Sequence, residues 1–139
     1  MQFNRRDALI IGAGAATVAL LPMQAFAAAG DDEIMAFTGG ADVTEGGIVL
    51  TAPEIAENGN TVPVAVSAPG AVSIILIATG NPNPKVAKFT FGPLAGSQDA
   101  STRIRLAGTQ ELIAVAQMAD GTFARDSKIV KVTIGGCGG

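Results

Sequence analysis

Short hydrophobic segments separated by turn residues run through most of the 139-residue chain, and they restrict the folds open to it. In residues 62–67 valine alternates with Pro, Ala or Ser, as in a strand with one buried face, whereas residues 72–79 form a continuous run typical of a strand buried on both faces. The series continues at residues 86–91, 103–107, 112–118 and 129–134. The connecting turns include Asn58-Gly59, Pro69-Gly70 and Asp120-Gly121. This pattern predicts an all-β domain over residues 28–134, an immunoglobulin-like antiparallel β-sandwich.

Two local signals refine this prediction. Residues 31–37 begin with three acidic side chains, which suit the positive end of a helix dipole, and Gly39-Gly40 follows them, so we predict a short N-terminal helix there. Pro63 lacks a backbone N–H, and this predicts that its strand lies at the edge of a sheet.

The first 27 residues have the three parts of an export signal. Arg5 and Arg6 precede an apolar run at residues 8–21, which falls short of the about 20 residues that a membrane-spanning helix needs. Ala25-Phe26-Ala27 then forms a small-residue cleavage site, with a second possible cut after Ala29. Because the paired arginines resemble a twin-arginine signal peptide, residues 1–27 predict export to the periplasm and no stable membrane association.

The composition excludes several classes of function. Without histidine, neither a Ser-His-Asp triad nor an imidazole zinc site can form, and one cysteine cannot supply a thiolate cluster. Without Arg5, Arg6 and Asp7, the nine basic and twelve acidic residues become seven and eleven, a net charge of −4 that opposes nucleic-acid binding. Gly12 and Gly14 follow no predicted strand, as a dinucleotide-binding loop would require. We therefore predict a non-enzymatic protein that holds no metal or other cofactor.

The last five residues hold the only cysteine, Cys137, between Gly135-Gly136 and Gly138-Gly139. Because glycine adopts many backbone conformations, residues 135–139 are predicted to form a slim, flexible arm that reaches at most roughly 17 Å. The thiolate is the nucleophilic form of cysteine, and no neighbouring cation favours it here, since the nearest lysine in the sequence is Lys131. Such a thiol suits a substrate anchor on which partner proteins act.

Three other roles for this terminus stay open. An intermolecular disulfide through Cys137 would join two copies of an exported structural or interaction β-sandwich. The Gly138-Gly139 end would carry sulfur as a thiocarboxylate, as in ubiquitin-like sulfur carriers, but that chemistry needs ATP, which the predicted export leaves behind. A thiol-dependent transferase acting alone would need a base to activate Cys137, and the chain has no histidine for this role.

Residues 131–139 (KVTIGGCGG) and residues 53–63 (PEIAENGNTVP), together with the twin-arginine leader, carry a resemblance to one known family. In these segments the chain resembles SoxY, the sulfur-carrier family of the periplasmic Sox system of thiosulfate oxidation. The resemblance implies a non-catalytic β-sandwich that pairs with SoxZ and holds sulfur covalently on Cys137.

The same resemblance implies transient partners that act on Cys137. The haem enzyme SoxAX would join thiosulfate to the cysteine, the hydrolase SoxB would release sulfate, and SoxCD, where an organism has it, would oxidise the remaining sulfane sulfur. The arm would give the thiol reach and clearance inside each enzyme through four glycines, Gly135, Gly136, Gly138 and Gly139.

Overall fold

Helix α1 (Leu21–Thr38) opens the part of the chain that the computed structural model describes, which is residues 21–136, with the backbone alone for residues 21–29. The helix ends at Gly39 and Gly40, whose φ angles of 66° and 86° form a left-handed turn. The predicted stop is therefore confirmed, although the helix begins at Leu21 and not at residue 31. The predicted cleavage site after Ala27 lies inside α1, and the end of the signal peptide stays a prediction.

Nine strands follow in the described residues, and they form two sheets. The larger sheet has the order β1-β9-β8-β5-β6, with β3 also paired to β9, and the smaller sheet has the order β2-β4-β7. The strands are β1 (Val43–Glu45), β2 (Val49–Thr51), β3 (Ile55–Ala56), β4 (Val62–Ser67), β5 (Ala71–Ala78), β6 (Lys85–Thr90), β7 (Asp99–Ile104), β8 (Gln110–Met118) and β9 (Phe123–Val132). The predicted all-β sandwich is confirmed.

Antiparallel pairs form the centre of both sheets, and parallel pairs occur at one edge. β5 pairs antiparallel with β6 and β8, β8 with β9, and β4 with β2 and β7. The short strands β1 and β3 instead run parallel to β9, in the registers Val43↔Phe123 and Ile55↔Lys131. Between them, the backbone N–H of Leu50 donates to Asp126 Oδ2 (2.9 Å), which ties β9 to the smaller sheet.

The core consists of two clusters, one on each face of the larger sheet. The first lies between the sheets and includes Leu50, Val62, Val64, Val66, Ile74, Leu76 and Leu112. The second lies on the opposite face and contains Ile75, Ile77, Ile113, Val115 and Phe123, against which Ile34 and Phe37 of α1 pack. Strand β5 is thus buried on both faces, as predicted, because the smaller sheet covers one face and the helix covers the other.

We expect Phe37→Ala to loosen the helix from the sheet. The Phe37 ring meets the Phe123 ring edge to face, with centroids 5.8 Å apart, and the side chain is half-buried. The variant should lower the free energy of unfolding by about 1–2 kcal/mol, below the loss at a fully buried phenylalanine. Urea denaturation measures the change. Met35→Ala, at a position 63% exposed on the same helix, is the matched control, and equal losses in both variants would contradict this packing.

The prediction that Pro63 marks an edge strand is wrong, because β4 is the middle strand of the smaller sheet. Pro63 nevertheless lies where β4 has only one neighbour. β2 pairs with residues 65–67 alone, so Pro63 stands beyond the end of β2 and is paired only with Arg103 of β7. The missing N–H is tolerated because this point is a local edge.

The sequence pattern also missed or misplaced several strands. Strands β1, β2 and β3 contain only two or three residues each and were not predicted. The strand predicted at residues 103–107 lies at Asp99–Ile104, and the last strand begins at Phe123, six residues before its predicted start, and ends at Val132. The end of β9 brings the chain to the predicted site.

Candidate functional site

The predicted site residues fall into two groups. Gly135 and Gly136 follow β9 and are described by the structure. Five others lie outside the described residues: Arg5, Arg6, Cys137, Gly138 and Gly139. The geometry of the site is therefore that of the segment that leads directly to Cys137.

Three backbone N–H groups at and just after the end of β9 form hydrogen bonds that hold the chain where it approaches this segment. On one side, the N–H groups of Lys131 and Thr133 donate to the carbonyl oxygens of Glu54 (2.9 Å) and Ala56 (3.0 Å). On the other side, the Val132 N–H donates to Thr109 Oγ1 (3.0 Å). The chain thus leaves the sheet held on both sides.

Two loops then hold the glycine pair, one after β3 and one after β7. The Gly59 N–H donates to the Ile134 carbonyl oxygen (2.7 Å), and the Gly136 N–H donates to the Leu106 carbonyl oxygen (2.8 Å). The loops also bind each other, since the Leu106 N–H donates to the Gly59 carbonyl oxygen (2.8 Å). We call Gly59, Leu106 and Ala107 the cradle. It makes contact with the chain up to the last residue before Cys137.

The cradle leaves no room for side chains at its closest approaches. A Cβ on Gly136 would lie 2.6 Å from the Gly59 carbonyl oxygen, and a Cβ on Gly135 would collide with the Ala107 carbonyl oxygen. A Cβ on Gly59 would collide with the Leu106 carbonyl oxygen and would lie 2.7 Å from the Gly136 nitrogen. None of these three glycines has a positive φ, so the close backbone approach, and not an unusual conformation, requires glycine here.

A buried amide fixes the loop that supplies half of the cradle. Asn81 is 2% exposed, and its Nδ2 donates to the Arg105 carbonyl oxygen (2.8 Å) while its Oδ1 accepts from the Ala107 N–H (2.9 Å). Gln110 Nε2 donates to the same Oδ1 (2.9 Å), and Gln110 Oε1 accepts from the Gly80 N–H (2.9 Å). Leu106 is therefore held between two residues that Asn81 binds.

The sequence assigned Gly135 and Gly136 to a freely moving arm, and the structure holds both by contacts with the cradle. For Gly138 and Gly139 the predicted mobility stays a prediction. Sequence reasoning missed Gly59, Asn81 and Leu106 as parts of the site. The one available signal was the 53–63 segment, which carried the family resemblance. Its residues Glu54, Ala56 and Gly59 form hydrogen bonds with the chain between the end of β9 and Gly136, which we call the tail.

Three further features of residues 21–136 concern metal binding, membrane spanning and surface grooves. There, no group of three or more His, Cys, Asp or Glu side chains is placed to hold a metal ion. In the same residues no helix has the length and apolar character needed to span a bilayer. A surface groove of about 620 Å³ lies on the outer face of the smaller sheet between Pro53, Pro63 and Arg103, and it includes no cradle residue.

The comparisons with known proteins point to one family. Residues 34–137 match the family described as "Sulfur oxidation protein SoxY". Among solved structures, the sulfur carrier protein SoxY from Chlorobium limicola f thiosulfatophilum is 41% identical, with a TM-score of 0.66; the match covers 75% of this chain and 96% of that one. No curated protein matches the chain.

A more distant structural likeness concerns the fold alone. A superoxide reductase (neelaredoxin) from Ignicoccus hospitalis is 19% identical with a TM-score of 0.56, over 63% of this chain and 80% of that one. The family match, by contrast, covers most of the sequence and ends on Cys137, and the 41% identity extends over nearly the whole of the solved carrier. The chain therefore belongs to the SoxY family of sulfur carrier proteins.

Proposed function

We propose that the protein is a non-catalytic covalent carrier whose Cys137 thiol holds sulfur intermediates of thiosulfate oxidation and presents them to partner enzymes. The observation that carries the proposal is the family match, which extends over residues 34–137 and so includes the only cysteine of the chain. Family membership implies partners of the Sox system. The role is also supported by the hold of the cradle on Gly136, the residue that directly precedes Cys137 in the sequence.

The chemistry needs little from the carrier itself. In the first step the thiol and thiosulfate lose two electrons and one proton to form Cys–S–S–SO₃⁻, and the electrons pass to the haem enzyme SoxAX. Water then cleaves the terminal S–SO₃⁻ bond on SoxB, which releases sulfate and a proton and leaves a persulfide on Cys137. SoxCD, where present, oxidises that sulfane sulfur. Each step transforms a group on Cys137, so the carrier has to supply a nucleophilic sulfur and access to it.

The proposal places the mature carrier in the periplasm, paired with SoxZ. The support comes from the leader, in which Arg5 and Arg6 precede a short apolar run, and from the family resemblance. Tethering the intermediate keeps a reactive sulfur species from diffusing away and turns each encounter into a protein–protein encounter.

The intact mass of the protein tests the proposal. We expect the protein isolated from periplasm with thiosulfate present to carry sulfur-containing adducts that map to Cys137 and disappear on reduction. Protein isolated without thiosulfate is the control. A clean unmodified monomer would contradict the proposal, and a stoichiometric disulfide-linked homodimer would favour the structural alternative.

A further inference from the structure

We infer that the cradle holds the backbone at Gly136, which we call the root of the segment that carries Cys137. Gly59 and Asn81 are therefore positioning residues for the chemistry at Cys137. The inference rests on the proposed carrier function. It assigns a role to the 53–63 segment beyond that of a turn between strands, and a role to an amide that lies more than fifty residues before the cysteine in the sequence.

The first support is the closed set of hydrogen bonds around Gly59. Its N–H binds the tail through the Ile134 carbonyl oxygen, and its own carbonyl oxygen binds the opposite loop through the Leu106 N–H. The Leu106 carbonyl oxygen in turn binds the tail through the Gly136 N–H. Three backbone segments are therefore linked in a ring, and displacing any one of them leaves polar groups of the other two without partners.

The second support is the steric fit. Both Gly59 and Gly136 lie so close to the opposite backbone that a single methyl group on either would have to push the segments apart. A segment that only had to move freely would not need this close fit, because its glycines could be surrounded by open space. Gly108, by contrast, stands in the loop after β7 with no atom within 4 Å of an added Cβ.

The third support is the way in which the loop after β7 is held. Asn81 binds the residues on both sides of Leu106, and its side chain is buried. A short loop tied on both sides of its central carbonyl offers the Gly136 N–H an acceptor in a fixed position. Asn81 thus acts on Cys137 through Leu106 and Gly136.

The consequence for function is a short and defined reach. With the root at Gly136, one Cα–Cα step and the cysteine side chain keep Sγ within roughly 7 Å of the Gly136 Cα atom. An arm free from residue 135 would instead give Sγ a reach of roughly 13 Å from the Ile134 Cα atom, about twice as far. Partner enzymes must therefore bring their reacting centres up to this end of the sandwich, and the cradle sets the direction from which the thiol arrives.

Amide hydrogen exchange of the purified full chain tests the fixed root directly. We expect the Gly136 amide of the unaltered protein to exchange about tenfold or more slowly than in an unstructured peptide of the same sequence. Gly59→Ala should abolish this protection while the amides of β8 keep theirs. Gly108→Ala is the matched control, because it adds the same methyl group to the neighbouring loop without a clash, and it should leave Gly136 protected.

The effect on the carrier reaction gives a second readout. With SoxAX and thiosulfate, the Gly59→Ala carrier should react roughly tenfold more slowly at subsaturating concentration, because the thiol is less well placed. Its alkylation by iodoacetamide should stay at the rate of the Gly108→Ala protein, since a small reagent needs no fixed approach.

Two results would overturn the inference: exchange of Gly136 at the peptide rate in the unaltered protein, or a Gly59→Ala protein that matches Gly108→Ala in both exchange and carrier rate. Neither measurement stands in for the sulfur adducts on Cys137. A protected Gly136 without sulfur adducts would support the cradle and contradict the carrier function. Sulfur adducts with an unprotected Gly136 would support the carrier function and contradict the cradle.

Discussion

Replacing Cys137 with serine should reduce thiosulfate-dependent sulfate production to the rate without carrier. Serine keeps the size and shape of the side chain but its oxygen cannot form the S–S bond that the first step requires. The chain contains no second thiol that would take over the intermediate. Sulfate release in a reconstituted system with SoxZ and the partner enzymes measures the effect, and an unchanged urea midpoint shows that the sandwich is intact.

A displaced thiol provides the control for this prediction. Ser97 lies exposed in the loop between β6 and β7, and adding Ser97→Cys to the Cys137→Ser protein restores a thiol at a site without the cradle. We expect this double variant to react with iodoacetamide and still produce no sulfate. Sulfate production by Cys137→Ser alone would refute the carrier role, and recovery in the double variant would show that any accessible thiol suffices.

Truncating Leu76 to alanine should cause a large loss of stability. Leu76 is fully buried in the cluster between the sheets, where the removed atoms leave a cavity that the β-sandwich closes only in part. We expect a loss of about 3–5 kcal/mol in the free energy of unfolding, a large share of the stability of a domain of this size. Urea denaturation monitored by circular dichroism measures it.

Val72 supplies the matched control on the same strand. It is 38% exposed, so Val72→Ala removes little buried surface and should cost under about 1 kcal/mol. Similar losses in the two variants would mean that β5 is not covered as the structure has it. The comparison also tests one half of the sequence prediction for β5, the burial of the face that the smaller sheet covers.

The long strands could be predicted because the pattern of apolar and polar residues along each one reflects which of its faces are buried. Residues 74–78 are apolar without interruption since the smaller sheet and α1 cover opposite faces of β5. The alternation in residues 62–67 reflects a strand with one covered face. The strands of two or three residues, β1 and β3 among them, are too short to show alternation. Their pairing with β9 defines them, and a local pattern contains no information about a distant partner.

The start of the helix and the contacts of the site could not be predicted from local sequence either. The start of α1 was missed because residues 21–27 read equally well as the end of a leader and as helix. Cys137 stood out by its isolation, but its neighbours Gly135 and Gly136 were interpreted through conformational freedom alone. Their contacts are with residues around positions 59 and 106, so the close approach becomes visible only when the fold has brought those loops together.

The parallel strands on β9 have a consequence for how the protein behaves when it is crowded. β1 and β3 occupy the outer edge of β9 at Phe123–Arg125 and at Lys131–Val132, and Asp126 turns toward Leu50 between them. An invading strand from a second molecule therefore finds no continuous row of unpaired backbone groups there. The covered stretches of β9 thus leave a second molecule only short, separate segments to pair with, and this disfavours edge-to-edge association along β9.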